Sequence, residues 1–203
     1  MRRLGDPPAD PQPGGRGPAP GELALVQTFL NSRWDLRTDH LETFVTADAL
    51  ADWLSARGLL SPKRQLGDDD LRRAVAVREG LRAVAFRNNG YRLDESAIDA
   101  MHRASASARA GIRIEPDGPR FVVDTDAGLD GAIGALYAIV GRAMIDGSWE
   151  RLKACPGRQC GWAFYDHSRN RSARWCSMSV CGDREKSRAY YGRRTGSPGK
   201  PKS

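Results

Sequence analysis

Cysteine is absent from the first 154 residues of this 203-residue chain, and all four cysteines lie between residues 155 and 181. No stretch approaches 18 uninterrupted apolar residues, so the sequence predicts no membrane-spanning helix. Residues 1–21 also lack the apolar core of a secretory signal peptide, although two arginines follow Met1. We therefore expect a cytoplasmic protein, and the bias towards Ala, Arg and Gly is typical of a bacterium with a GC-rich genome.

Recognisable catalytic motifs are missing as well. The chain has no G-x-S-x-G, no P-loop, no H-E-x-x-H and no G-x-G-x-x-G after a strand, so we expect no enzymatic activity. His40 and His102 are isolated histidines that are predicted to lie at the surface or at the rim of the core. Asp35, Asp39 and His40 are close in sequence and form a candidate ligand pocket, although a solvated loop would explain the same residues.

The two ends of the chain have few side chains that could be buried. Residues 1–21 are rich in Pro and Gly, and residues 195–203 (TGSPGKPKS) are similar in composition. Burial there cannot offset the entropy of ordering the backbone, so we predict a disordered tail at each end. Between the tails, we expect a body at residues 22–150 and a smaller module at residues 151–194.

Positive charge is concentrated in the last part of the chain. Residues 151–203 contain 13 Lys and Arg but only three acidic residues, whereas residues 1–150 carry a net charge of −3. A mildly acidic body with a strongly basic end favours a polyanionic partner. Nucleic acid fits this asymmetry better than an anionic membrane, and no membrane association is expected.

The body is predicted to be α+β and mostly helical. Residues 22–33 could form a strand or a short helix, and helices are predicted from Thr46 to Gly58, at 68–87, at 94–108 and at 126–146. Thr46 is a suitable N-cap, and the acidic run at 68–70 favours a helix N-terminus. Alternating apolar residues on both sides of Pro116-Asp117-Gly118 predict a β-hairpin.

The cysteine spacing predicts a metal site. Two C-x4-C pairs, Cys155 with Cys160 and Cys176 with Cys181, are separated by fifteen residues. Two short cysteine pairs at this separation are typical of structural Zn²⁺, which takes four thiolates in a tetrahedron. Disulfides are disfavoured because nothing indicates secretion. A C-x-x-C redox pair is absent, and the usual iron–sulfur spacings differ from this one.

The module around these cysteines is predicted to be treble-clef-like. We expect GWAFYD and ARWC to form two strands joined by HSRNRS, followed by a helix that carries Cys181 near its first turn. Phe164 and Trp175 are the predicted apolar core, and His167 is predicted to be a turn residue rather than a metal ligand. A segment of this size buries too little surface to fold alone, so zinc would contribute folding free energy.

Residues 151–184, RLKACPGRQCGWAFYDHSRNRSARWCSMSVCGDR, resemble the CGNR zinc finger. The pattern of that family runs R-x-K-x-C, C-x-x-x-F-x-D-x-S-R-N, R-W-C-S-M and C-G-N-R. The matching positions are Arg151, Lys153, Cys155, Cys160, Phe164, Asp166, Ser168, Arg169, Asn170, Arg174, Trp175, Cys176, Ser177, Met178, Cys181, Gly182 and Arg184.

The preceding body, with LALVQTFLNSR and TADALADWLSARGLL, resembles the ABATE domain that accompanies this finger. The resemblance implies a family proposed to consist of stress-induced transcription regulators. In such a family the finger would bind DNA and the body would bind a ligand.

One position departs from the family pattern. Asp183 stands where the motif has Asn, and an ionised Asp only accepts hydrogen bonds, whereas Asn also donates them. Asp183 would repel a phosphate but could replace Asn as a helix cap, and we expect the capping role.

Together these features predict a transcription regulator whose finger binds double-stranded DNA, with zinc as the cofactor. The expected nucleic-acid contacts are Arg169, Arg171, Arg174, Arg184, Lys186, Arg188, Arg193 and Arg194, of which Arg184 is the candidate for reading a base. Two alternatives stay open: an RNA-binding or ribosome-associated module, and a ligand-binding or enzymatic body with the finger as a docking element. The sequence does not fix the oligomeric state, the ligand or the DNA site.

Overall fold

The structure, a computed structural model, describes residues 12–35, 40–116, 118–158 and 160–194, and only the backbone at positions 34, 35, 40, 41, 119, 120, 193 and 194. The helices are α1 (Leu23–Leu30), α2 (Ala47–Ala56), α3 (Asp68–Asn88), α4 (Glu95–Ala104), α5 (Leu129–Ile145) and α6 (Asp183–Arg194). The strands are β1 (Arg33–Asp35), β2 (His40–Glu42), β3 (Gly111–Glu115), β4 (Gly118–Val122), β5 (Leu152–Ala154) and β6 (Ala163–Tyr165). Three antiparallel pairs, β1–β2, β3–β4 and β5–β6, make up the sheets.

The fold class predicted from the sequence is confirmed. The body is mostly helical with two small antiparallel strand pairs, and a four-cysteine cluster follows it. The ambiguous segment at 22–33 begins as a helix, α1, and its last residue starts β1. Thr46 caps α2 by accepting from the amide of Ala49 at 3.1 Å, as expected.

The core of the body forms where α1, α3 and α5 meet and α2 closes one side. Phe29, Phe44 and Trp53 pack together with ring centroids 5.5–5.8 Å apart. Ile133 and Leu136 of α5 are almost completely buried. The same cluster continues into β5 and β6, since Leu152 and Ala163 have no exposed surface. The strands β5 and β6 therefore belong to the core of the body, whereas the four cysteines form a second, smaller apolar cluster with Trp162 and Phe164.

Two arginines of α3 are buried in this core. Arg78 is 0% exposed and forms two hydrogen bonds of 2.6 and 2.7 Å with the carboxylate of Glu42 on β2. Glu79 joins Arg78 to Arg82, with a distance of 2.9 Å to each guanidinium. A buried charge is costly unless it is paired and hydrogen-bonded, and this network meets both conditions.

The strand pairing in the cysteine module differs from the prediction. β6, within GWAFYD, pairs with β5, which precedes the first cysteine, and residues 172–177 form no strand. Short strands of three residues carry little periodic signal, so LKA at 152–154 could not be recognised from the sequence alone.

The structure also differs from the predicted N-terminal tail. Residues 12–19 lie against the cysteine module, and Ala19 is 3% exposed. The composition of this segment did not predict these contacts, because most of them are hydrogen bonds, two of them from Arg16, rather than contacts between apolar side chains. Residues 1–11 and 195–203, also predicted to be tails, lie outside the described residues. Within the described ranges, every helix is too short or too polar to cross a bilayer.

Candidate metal centre

The four cysteine sulfurs converge on one point. All four Sγ atoms lie within 4.8 Å of one another, and the side chains are buried. The Sγ atoms of Cys160 and Cys176 are 3.6 Å apart, and those of Cys176 and Cys181 are 3.7 Å apart. A disulfide requires about 2.05 Å, whereas a tetrahedron with Zn–S bonds of about 2.3 Å has edges of roughly 3.8 Å. The spacing fits a zinc ion, and the predicted cofactor is confirmed.

The first cysteine pair lies in a tight turn between β5 and β6. The amide of Cys160 donates to the carbonyl of Gly157, and the amide of Gly161 donates to that of Cys155. Gly157 is required here, because a Cβ at this position would lie 3.0 Å from the sulfur of Cys181. Gly161 adopts a φ of 62°, which turns the chain back into β6.

The second pair lies at the start of the C-terminal helical segment. A π-helical turn, Met178–Gly182, precedes α6 and contains Cys181, so Cys181 occupies the predicted first turn. Ser177 caps this turn by accepting from the amide of Val180. The cap is therefore Ser177, six residues before Asp183, and the capping role expected for Asp183 is not seen among these hydrogen bonds.

The thiols cannot all be ionised without a cation. Hydrogen bonds from Cys160 and Cys176 lower the pKa of the Cys155 thiol to about 2. The same interactions with Cys155 raise the pKa of Cys160 and of Cys176, and burial raises the pKa of Cys181. Four thiolates at these distances need a divalent ion between them, since a coordinated thiol loses its proton.

A buried ion pair supports the loop that connects the two cysteine pairs. Lys153 Nζ donates to Asp166 Oδ2 at 2.7 Å, and Asp166 is 0% exposed. Lys153 also donates to the carbonyls of Arg171 and Ala173, and Asp166 accepts from the hydroxyl and amide of Ser168. These motif positions therefore hold the loop at 166–173 in place.

Polar side chains of the body fix the module by its backbone. Asn89 Nδ2 donates to the carbonyls of Ala154 and Arg174, so it joins both halves of the metal site. Asn31 accepts from the amide of Ala163 and donates to its carbonyl. Arg82 donates to the carbonyl of Gly161, directly after Cys160. The orientation of the metal site relative to the body is thus set by buried hydrogen bonds.

The N-terminal segment also lies against the module. Arg16 donates to the carbonyls of Cys176 and Trp175 at 2.8 and 3.0 Å, and its guanidinium lies 5.0 Å above the ring of Phe164. Gln12 Oε1 accepts from the indole of Trp162. We call residues 12–19 the N-terminal strap.

Comparison with known families agrees with this architecture. Residues 23–146 match the ABATE family model, described as "Putative stress-induced transcription regulator". The chain belongs to the ABATE family. Residues 151–194 match the CGNR zinc finger, so the ABATE domain and its finger follow each other in the predicted order. A search of curated proteins found no match.

The predicted nucleic-acid residues of this ABATE protein fall into two groups. Arg169, Arg171 and Arg174 lie on the loop between the cysteine pairs and are exposed, with Arg171 bonded to Glu150 and Arg174 to Tyr91. The others lie on α6. Lys186 and Arg188 are exposed and paired with Asp183 and Glu185, whereas Arg184 is half-buried. The side chains of Arg193 and Arg194 lie outside the described residues.

The candidate ligand pocket is only partly described. Asp35 and His40 are directly opposite each other in the β1–β2 register, so their backbones are adjacent. Their side chains and the whole of Asp39 lie outside the described residues, and the pocket remains a prediction.

Sequence reasoning missed the residues that join the body to the finger. Polar residues are mostly exposed, so the sequence did not indicate a buried structural role for these residues. They are Arg16, Asn31, Arg82 and Asn89. A signal existed at Arg78 and Arg82, which are four residues apart on the apolar side of α3.

Proposed function

We propose that this protein is a transcription regulator that binds double-stranded DNA through its zinc finger. The observation that carries the proposal is the exposure of α6. One end of α6 continues from the metal site, and every side chain from Lys186 to Tyr191 is exposed. A helix that is polar all round buries no face against its own protein, so its cations are available to a polyanion.

The charge of the module supports the same partner. Four thiolates and one zinc ion add a net charge of −2, and the 13 cations of residues 151–203 exceed the acidic residues by ten. The metal site therefore leaves a surplus of about eight positive charges, at the upper end of the range of about 2–8 that suits the solubility of a small domain. Tyr190 and Tyr191, 50% and 63% exposed, add aromatic surface to α6.

We propose the cations of α6 and of the loop at 166–174 as the phosphate contacts. Three to six contacts would release condensed counterions and give a log–log salt slope of about −3 to −5. Replacing Arg188 should weaken binding to all duplexes similarly and make the slope less steep by about one. Arg103 on α4 is exposed and offers a matched control, since its replacement should leave the slope unchanged.

The test is a pair of salt-dependent titrations of zinc-loaded protein, with duplex DNA and with a structured RNA. Higher affinity for the duplex, with a steeper dependence of that affinity on salt concentration, supports the proposal. Higher affinity for RNA supports the RNA-binding alternative. No salt-dependent binding to either near 50 mM salt would remove nucleic acid as the partner.

A ligand-sensing role of the body is also part of the proposal. It is supported by a continuous series of partly buried contacts that runs from Glu42 on β2 through Arg78, Glu79 and Arg82 to the carbonyl of Gly161. A ligand at the β1–β2 turn would reach the finger through these contacts. In a screen of small metabolites by thermal shift, a true effector should change duplex affinity in the wild type and fail to do so in Arg82→Met, with both proteins compared at equal zinc occupancy and below the melting temperature of the variant.

A further inference from the structure

A cleft lies at the seam between the body and the finger. Its volume is about 310 Å³, and it is lined by Arg87 and Asn88 at the end of α3, Glu150, Lys153 on β5 and Arg171 on the loop. Three of these five side chains are cations and one is an acid, so the lining carries a net charge of +2. A water occupies about 30 Å³ of liquid, which leaves room for a small oxyanion with several waters.

The hydrogen-bonding capacity of the lining is unequally used. Lys153 has all three donors occupied, by Asp166 and by the carbonyls of Arg171 and Ala173. Arg171 donates from Nη1 to the Glu150 carboxylate at 2.7 Å, which leaves its Nε and Nη2 donors for a ligand. Arg87 has no acceptor among the described residues and is exposed. The donors available to a ligand therefore belong to Arg87 and Arg171, one on each side of the seam.

The backbone of Arg171 is held in an unusual conformation. Its φ of 51° is the only positive value at a non-glycine position in the described part of the chain. Such residues persist only where their surroundings hold them, and they cluster at binding sites. Here the ammonium of Lys153 holds the Arg171 carbonyl at 2.6 Å and is itself fixed by the buried carboxylate of Asp166. The backbone from which the Arg171 side chain projects is therefore held in place.

We propose that this seam is a phosphate-binding cleft in which Arg87 and Arg171 grip one phosphate group from two sides. Guanidinium groups bind phosphate with two parallel hydrogen bonds, and two guanidiniums on opposite sides can reach different oxygens of the same phosphate. The proposal rests on the proposed function, because it makes the end of α3 part of the DNA interface. It goes beyond that function in naming Arg87, a residue of the body that is remote in sequence from α6.

The phosphate could belong to a DNA backbone or to a free phosphate compound, and two experimental arms separate these sources. In the first arm, a short duplex is titrated into zinc-loaded full-length protein and into the Arg87→Ala and Arg171→Ala variants. Each substitution should lower duplex affinity about tenfold and make the salt slope less steep by about one. Glu150→Gln removes the negative charge at the cleft and should raise the affinity.

In the second arm, inorganic phosphate and pyrophosphate are titrated into the same proteins, and arginine side-chain resonances are followed by NMR. Saturable shifts in the wild type that Arg87→Ala abolishes support the cleft with a free phosphate compound as the source. Arg72→Ala is the matched control, because Arg72 is an exposed arginine elsewhere on α3.

The two arms also distinguish this inference from the proposed function. If no duplex binds but phosphate does so through Arg87 and Arg171, the cleft stands and the DNA proposal fails. If the duplex binds with Arg87→Ala and Arg171→Ala no weaker than Arg72→Ala, and phosphate gives no saturable shifts, the cleft is overturned and DNA binding stands.

Discussion

Arg82 Nη1 lies 2.5 Å from the carbonyl oxygen of Gly161, although the two residues are 79 positions apart in the sequence. Gly161 directly follows the metal ligand Cys160, so an arginine of the body holds the turn that presents one thiolate. The same guanidinium donates to the carbonyls of Leu30 and Arg33 and is paired with Glu79. A single side chain thus connects α1, β1, α3 and the metal site.

Arg82→Met should therefore affect both stability and metal retention. It removes this donor from three carbonyls and leaves the Glu79 carboxylate with Arg78 but without Arg82. Breaking a buried ion pair of this kind costs about 3–5 kcal/mol. The free energy of unfolding by denaturant and the rate of zinc transfer to a chelator are the measurements. Arg72→Met is the control: Arg72 is 70% exposed and paired only with Asp69, so about 0–1 kcal/mol is expected. Equal effects of the two substitutions would contradict the role of Arg82.

Metal removal should have consequences beyond the finger. Metal analysis should give one zinc per chain, and Cys176→Ser should lose it. Because the hairpin β5–β6 belongs to the core of the body, we expect the variant to lower the thermal stability of the body as well. Iron in place of zinc, or an unchanged transition of the body in Cys176→Ser, would be inconsistent with this arrangement.

The N-terminal strap should contribute to the stability of the metal site. Deleting residues 1–19 removes the two hydrogen bonds from Arg16 to the carbonyls of Cys176 and Trp175. A hydrogen bond from a charged donor contributes up to about 3 kcal/mol to the free energy of unfolding. We expect a lower melting temperature and faster zinc loss. Deleting residues 1–11 leaves in place the contacts that Gln12 and Arg16 make with the cysteine module and serves as the control. A strap that leaves both quantities unchanged on removal would be a passive attachment.

Glu79 gives stability a defined pH dependence. Burial raises the pKa of Glu79, but the neighbouring Arg82 and Arg78 offset this, and the pKa lies below its ordinary value of 4.5. The unfolded chain therefore binds more protons below pH 4.5, and the stability from Glu79 is complete above that pH and lost as pH falls through the folded pKa. The difference in unfolding free energy between wild type and Glu79→Gln should shrink on acidification. Acid-induced zinc release should affect the wild type and Glu79→Gln alike, so it cancels in the comparison. A difference in unfolding free energy that does not change with pH would contradict the role assigned to Glu79.

Asp183→Asn should strengthen binding to duplex DNA. Asp183 is the first residue of α6, its side chain is 62% exposed, and its carboxylate lies 3.7 Å from Lys186 Nζ. Removing its charge frees Lys186 and lowers repulsion of phosphates, so affinity should rise a few-fold for all sequences. Fluorescence anisotropy at two salt concentrations measures this, with zinc content as the control. Weaker binding by the variant would indicate that the carboxylate itself accepts from a base.

The elements that could be predicted were those with a local signal. Local sequence determines three of them: Thr46 as a cap, the acidic start of α3 at Asp68 and the turn at Pro116–Gly118. The cysteine spacing likewise predicted the metal site. The position of Arg82 depends on carbonyls that fold next to it from 49 to 79 residues away, which no local pattern encodes. The contacts of residues 12–19 could not be predicted for the same reason, because partners such as Trp162 and the carbonyl of Cys176 are distant in sequence.

The strap also has a consequence for the order of events during synthesis. The carbonyls that Arg16 binds belong to residues made 159 and 160 positions later. At roughly 5–20 residues per second, a ribosome needs on the order of 8 to 30 seconds to reach them. During that interval the strap can contact Gln27 on α1, but the carbonyls that Arg16 binds have not yet been made. These carbonyls belong to the segment that contains the metal ligand Cys176, so we expect zinc binding to favour their docking with Arg16. Closure of the strap is therefore a late step, and a nascent chain short of zinc would expose this segment to proteases for longer.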